Sequence, residues 1–212
     1  MGIKVNQETL QMIADLSNAR GASGFEDETV QAAAKHIGEG YTTEEDCLRN
    51  FYMYRTANSG NKPVFMLDAH SDEVGFMVHS IRPNGTLRFV ALGGWNVGSL
   101  ASSKVLVRNS EGKYLPGVIA AKPVHFMSAS EKASAGAADI SSLSIDIGAV
   151  SAKDAAENFQ IRIGEPVVPD VTLEYDEEHD LMFGKAFDCR IGCAALIETL
   201  RRLRDEKLDV DV

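Results

Sequence analysis

Basic side chains are in the minority: 21 Lys and Arg stand against 31 Asp and Glu, for a formal net charge of −10. Such a balance disfavours a phosphate-binding surface, which argues against nucleic acid as a partner, and favours solubility or the attraction of cations. No run approaches the roughly 20 apolar residues that a membrane span needs. The opening "MGIKVNQETL" lacks the apolar centre of a signal peptide, so no membrane partner and a cytoplasmic location are expected. There are 3 cysteines, Cys47, Cys189 and Cys193, with no Cys-x-x-Cys pair, which fits a reducing compartment better than a disulfide framework. Gly-rich phosphate loops, a Gly-x-Ser-x-Gly elbow, internal repeats and low-complexity linkers are missing too.

What is there is a globular chain. Its 212 residues with 44% hydrophobic content are enough to bury the core of one large domain or two small ones. The start is helical: Leu10, Ile13 and Leu16 share one face of a segment opened by Asn6. In "SGFEDETVQAAAKHIG", Ser23 and Glu26 have capping-box spacing, Val30, Ala33, Ala34 and Ile37 form an apolar stripe, and Gly38 can end the helix. "NFYMYR" and "PVFMLDAH" follow, the second a continuous apolar run of the kind found in strands covered on both faces. Helices followed by such a strand suggest an α/β layer. From Phe76 to Gly164 the texture changes to short strands divided by "RPNG", "LGGW", "NSEG", "LPG" and "IGEP", with one short helix capped by Ser151 and Asp154. The helical period then returns through Ile191, Ala195, Leu196, Leu200 and Leu203. The expected organisation is a discontinuous α/β domain, residues 1–75 and 165–212, interrupted by a β-rich domain, 76–164.

The apolar run ends in titratable chemistry: Asp68, His70, Asp72 and Glu73. Open α/β sheets present their sites beyond the carboxyl ends of strands, and His70 falls at such an edge. Asp72 can accept the second ring N–H of His70, the pairing that orients a metal-ligating imidazole. His-x-Asp alone equally describes a satisfied histidine at a strand end with Asp72 and Glu73 facing water, and spacing by itself favours that bland reading. Asp188, in "GKAFDCRIG", poses the same choice between a helix N-cap and a carboxylate able to bridge a pair of cations. His36, His79, His125 and His179 read as packing or surface, and Cys189 with Cys193 as a small helix face with too few ligands for a zinc site.

Taken in order, "GASGFEDE", "LDAHSDEVGF", "LPGVIAAKPVH", "LSIDIGAVSAKDA", "IRIGEPVV" and "GKAFDCRIG" resemble the tetrahedral, glutamyl-aminopeptidase-like proteins, family forty-two of the metallopeptidases. The resemblance runs from Leu10 to Leu203 and covers the N-terminal portion of such proteins. It implies a zinc-peptidase-like α/β catalytic domain, incomplete here, with an inserted β-rich PDZ-like barrel domain that drives dimerisation and assembly of dodecamers. It further implies removal of N-terminal residues from peptides with two divalent metal ions, zinc or else cobalt or manganese. Carried over, His70 is a metal ligand, Asp72 its orienting catalytic partner and Asp188 the bridging carboxylate, followed by a cis Asp188–Cys189 bond. Position 189 is Cys, where the family usually has Asn or Asp. The general base and the remaining ligands are expected beyond Val212, which makes the isolated 212-residue chain inactive in this reading. Two other readings stand beside it: a non-catalytic oligomerisation module, and an endoglucanase-like glycoside hydrolase in which Asp72 and Asp188 flank a sugar.

Overall fold

Asn6 accepts from the amide of Thr9 at 2.8 Å and so caps α1 (Gln7–Asn18), which buries Met12 and Leu16 completely. The computed structural model describes residues 5–128 and 139–212. Residues 1–4, within the opening segment read above, and 129–138, within the β-rich block, lie outside the described residues. The chain divides into two units, Met1–Glu73 with Val171–Val212 and Val74–Asp170.

In the first unit α1 packs with α2 (Asp27–Ile37) and α4 (Phe187–Leu203) around Met12, Leu16, Ala194 and Ile197. The expected capping box at α2 does not form. Glu26 is the N-cap residue, without a side-chain cap bond, and its carboxylate instead accepts from Gly24 N at 2.7 Å. Ser23 is drawn off to Asp72. A tertiary acceptor has outcompeted the local amide, which sequence spacing cannot register. Two antiparallel hairpins complete the unit: β1 (Tyr41–Glu45) with β2 (Phe51–Arg55), and β9 (Glu174–Asp176) with β10 (Leu181–Phe183). Buried Arg55 donates to the carbonyls of Arg204 and Glu206 beyond the end of α4, tying β2 to that turn.

The apolar run expected as a doubly covered strand is not one. Val64 makes a single parallel bridge to Asp211, supported by Phe65 N to Asp211 O at 2.8 Å and Asp211 N to Pro63 O at 2.9 Å. Val64 is 79% and Met66 77% exposed. Apolar content creates a preference for burial, but a strand also needs neighbours with which to pair, and β2 pairs with β1 instead.

The second unit is a closed six-stranded barrel in the order β3-β4-β7-β6-β5-β8. Its strands are β3 (Gly75–Ile81), β4 (Leu87–Leu92), β5 (Lys104–Arg108), β6 (Tyr114–Ala120), β7 (Ser144–Asp146) and β8 (Pro166–Pro169). The unit therefore runs to Asp170 rather than 164, because β8 closes the barrel by pairing with both β3 and β5. Phe76 packs edge-on to Phe89 at 4.9 Å and stacks on Trp95 at 4.6 Å, whose indole N–H donates to Gly75 O. Gly85 turns β3 into β4 at φ +88, where a Cβ would stand 2.3 Å from Ala149 O. The short helix α3 (Ala152–Glu157) is capped as expected, Ser151 Oγ accepting from Asp154 N at 3.1 Å. Asp154 reaches back to Val150 N at 2.9 Å, one residue short of the position a capping box uses.

Candidate metal centre

His70 and Asp188 are 118 positions apart in sequence, yet His70 Nε2 lies 3.2 Å from Asp188 Oδ1. The other ring nitrogen, Nδ1, lies 3.0 Å from Asp72 Oδ1. A neutral imidazole has one N–H and one lone pair, and carboxylate oxygens only accept. If Nδ1–H donates to Asp72, the Nε2 lone pair faces a carboxylate oxygen, an opposition that a proton or a metal cation at that point resolves. Burial alone would lower the pKa of His70, but the carboxylates of Asp188 and Asp72 outweigh it and raise it above the ordinary histidine value. At Asp72 burial pushes the pKa up, and hydrogen bonds from Ser23 and His70 bring it below the ordinary aspartate value. Both oxygens of Asp72 are thereby taken, one by His70 and one by the Ser23 hydroxyl. Asp188, by contrast, has a side chain 97% exposed.

The start of α4 explains how Asp188 reaches this place. Ala186 enters it left-handed at φ 57, a conformation that disfavours alanine by roughly 1–2 kcal/mol. Asp188 (φ −91, ψ 104) and Cys189 (φ −117, ψ 31) are not helical, and the bond between them is cis. Regular helix resumes after them, so Asp188 is not the N-cap of a simple helix start. Cys189 lies with His70 and Asp188 in a group whose ligand atoms are all within 4.8 Å of one another. Among the described residues this is the one group of three such side chains able to hold an ion. Cys193, one turn on, donates to His70 O at 3.3 Å, and burial pushes its thiol up to about 11.

Behind the site lies a buried ion cluster. Glu73 accepts from Lys185 Nζ at 2.6 and 2.8 Å and from Gly21 N at 3.0 Å. Lys185 also donates to Ala19 O at 3.0 Å. Fully buried Arg190 donates to Ser71 O at 2.9 Å and Leu16 O at 3.0 Å, and further to Ala19 O and Gly21 O. Desolvation lowers the pKa of Lys185, and the Glu73 charge opposes that fall. These three residues flank the candidate ligands in the chain, Glu73 beside Asp72, and Lys185 and Arg190 on either side of Asp188. They clamp the Ser71–Glu73 loop, the end of α1 and the start of α4 into one body. An open cleft of about 760 Å³, lined in part by Met53, Tyr54, Val64, Met66, His70 and Leu196, lies on the same unit.

The structure thus brings His70, Asp72 and Asp188 together. Two of the histidines set aside have other partners: His36 lies 2.7 Å from Asp15, and His179 2.8 Å from Asp176. Sequence reasoning gave Ser23 and Glu73 other places, a capping box and a titratable strand end, and did not reach Lys185, Arg190 or the proximity of the Cys189 thiol. The available signal was the charge inside "GKAFDCR", since lysine and arginine flanking an apolar step are seldom buried without a carboxylate to meet them.

The sequence pattern of the family described as M42 glutamyl aminopeptidase matches residues 50–212. The glutamyl aminopeptidase of Lactococcus lactis subsp. cremoris is 32% identical over 204 residues, which are 96% of this chain and 57% of that protein. The crystal structure of a TET aminopeptidase from the marine sediment archaeon Thaumarchaeota archaeon SCGC AB-539-E09 superposes with a TM-score of 0.85 at 32% identity, over 94% of this chain and 55% of that one. The TET1 peptidase of Pyrococcus horikoshii, described as able to assemble into a tetrahedron or a large octahedral shell, superposes at 0.78 with 26% identity, over 93% of this chain and 57% of that one. The chain thus spans little more than half the length of these relatives. With the pattern matched over most of its residues and an α/β architecture shared with solved aminopeptidases, this chain belongs to the M42 glutamyl aminopeptidase family.

Proposed function

We propose that the protein is a metal-dependent aminopeptidase that removes N-terminal residues from peptides, with His70 and Asp188 as metal ligands and Asp72 as the residue that orients His70. The observation that carries this reading is the His70 ring held by Asp72 through Nδ1 while Nε2 faces the exposed Asp188 carboxylate at 3.2 Å. An imidazole nitrogen and a carboxylate able to bridge suit zinc, cobalt or manganese, and the ligand atoms of His70, Asp188 and the nearby Cys189 lie close enough together to hold one ion; a second divalent ion beside it is part of this reading. Such ions supply Lewis-acid polarisation of a scissile carbonyl and a more acidic water. The chain's own residues fix the geometry. Ser23 holds Asp72, Asp72 fixes the His70 tautomer, and Glu73, Lys185 and Arg190 lock the two segments that carry the ligands.

The unit of the helices and hairpins is the catalytic part in this reading. The barrel is a PDZ-like module that supplies a subunit interface for dimers and a dodecamer, in a protein of the cytoplasm. The shell-forming assembly described for the Pyrococcus horikoshii relative supports self-association. No described helix is long and apolar enough to cross a membrane. A glycosidase reading is weakened by Asp72, whose two oxygens are already engaged and which therefore is not free to protonate or attack a glycosidic bond.

The test is hydrolysis of leucyl and glutamyl p-nitroanilides by the gene product at its natural length. Turnover is expected to need zinc or cobalt, to vanish with a chelator, and to be lost in His70→Ala. Residues 1–212 alone should show almost none, since a positioned general base, typically worth about 10²–10⁴-fold, is expected from outside them. Activity unaffected by chelation, or sugar release from a cellulosic substrate in place of anilide hydrolysis, would overturn the assignment.

A further inference from the structure

We propose that Cys189 is itself a metal ligand, so that His70, Asp188 and Cys189 form a three-donor nitrogen, oxygen and sulfur centre that prefers thiophilic divalent ions. The inference rests on the metal-ligand reading of His70 and Asp188 and adds a third protein donor to it. The ligand atoms of all three lie within 4.8 Å of one another, close enough to converge on one ion.

Local backbone geometry makes this convergence possible. In a regular α-helix neighbouring side chains point about 100° apart, which would send residues 188 and 189 to different faces. Here both residues have non-helical φ/ψ, and both present their donor atoms to His70. The sulfur has space reserved for it. A Cβ added at Gly192 would stand 2.5 Å from Cys189 Sγ and 3.2 Å from Ala69 Cβ, so a glycine, an unfavourable residue for a helix interior, is what clears the position. The other cysteines do not compete for the role. Cys193 is committed to the His70 carbonyl at 3.3 Å, and Cys47 is exposed between β1 and β2.

The donor set has a chemical consequence. An imidazole with carboxylates discriminates little among zinc, cobalt and manganese, whereas a thiolate shifts preference towards zinc, cobalt(II) and cadmium and away from manganese. Three protein donors with one side open is also the pattern of zinc sites that leave a position for water or substrate. The exposure of His70 (56%) and Asp188 (97%) leaves such a side open.

The experiment strips metal from the gene product at its natural length and titrates it with cobalt(II) under reducing conditions. A thiolate-to-cobalt charge-transfer band in the near ultraviolet should grow in step with binding. It should disappear in Cys189→Ser, with cobalt affinity more than about tenfold weaker, the lower end of what loss of even an outer partner brings. Cys193→Ser and Cys47→Ser should keep the band. Cys189→Asp, which offers an oxygen, should bind cobalt without it, and this separates loss of the sulfur from failure to fold. Cobalt bound by the unaltered protein with visible bands but no charge-transfer band, or a band retained in Cys189→Ser, would overturn the role of Cys189 and leave that of His70 and Asp188 standing. No cobalt binding by the unaltered protein would overturn both.

Discussion

In the barrel every strand has two neighbours, and Phe76, Leu87, Val107 and Ile145 are each 1% exposed or less. In the helical unit the apolar run at 63–67 pairs at one bridge and leaves Val64, Phe65 and Met66 exposed, while Glu73, Lys185 and Arg190 are buried. The barrel buries what is apolar and has no free sheet edge. The helical unit buries charge, and does so directly behind its candidate ligands. Burying a paired charge gains little stability over a packed apolar group, so the arrangement is better understood as fixing position than as adding stability. The contrast separates a part built to hold a shape from a part built to hold a few atoms in place.

The largest expected effect tests that contrast at its polar end. Lys185→Ala leaves Glu73 buried beside Arg190 without its closest cation, and breaking a buried pair in this way costs about 3–5 kcal/mol. Hydrogen exchange should show the greatest loss of protection in α1 and α4 rather than in β3–β8. Equal protection of α1 and α4 in this variant and the unaltered chain would mean that the cluster does not hold the unit together.

At the apolar end, Ile145→Ala in β7 removes a fully buried side chain that faces Leu87 across the ladder and should cost about 2–5 kcal/mol, read as loss of protection in β4, β6 and β7. A loss well under 1 kcal/mol would show a barrel core loose enough to collapse around the gap.

The smallest effect concerns pH. Asp15 joins α1 to α2 through Lys35 at 2.6 Å and His36 at 2.7 Å. Burial raises its pKa, and the bonds from Lys35, His36 and Gln11 more than reverse this and lower it. A carboxyl with a depressed folded pKa contributes stability that is complete above its unfolded value, about 3.9, and is lost as pH falls through the folded value. Denaturation of the helical unit as a function of pH should show that loss below about pH 4, worth at most about 1 kcal/mol for a partly exposed pair. The slope should flatten in Asp15→Asn. An unchanged slope would place the acid sensitivity elsewhere.

Much of this was legible in residue order. The Asn6 cap, the turn-divided strands and the Ser151 cap all depend on neighbours a few positions away, and the structure has them where the sequence implied; the α2 stripe holds at Val30, Ala33 and Ile37, while Ala34 is exposed and Ala32 packs on the core instead. The candidate site was legible in a different way, through the ordered blocks that mark the family rather than through His-x-Asp spacing, which fits two readings equally. The failures share a cause. Ser23 has capping-box spacing but donates to Asp72, and "PVFMLDAH" has a buried strand's composition but no ladder, because in both cases a partner far away in sequence decided the outcome.

What the sequence by itself determined is therefore the local grammar of helices and turns, the β-rich interruption and the family. Only the tertiary structure decided which charges are buried and which donors meet. Asp188 and Cys189 face His70 because Arg190 and Lys185 lock the start of α4 against the Ser71–Glu73 loop and because the backbone at 188–189 leaves the helical region. Pairing energies at such a site depend on distance and desolvation, and both are properties of the folded chain that no spacing along it encodes.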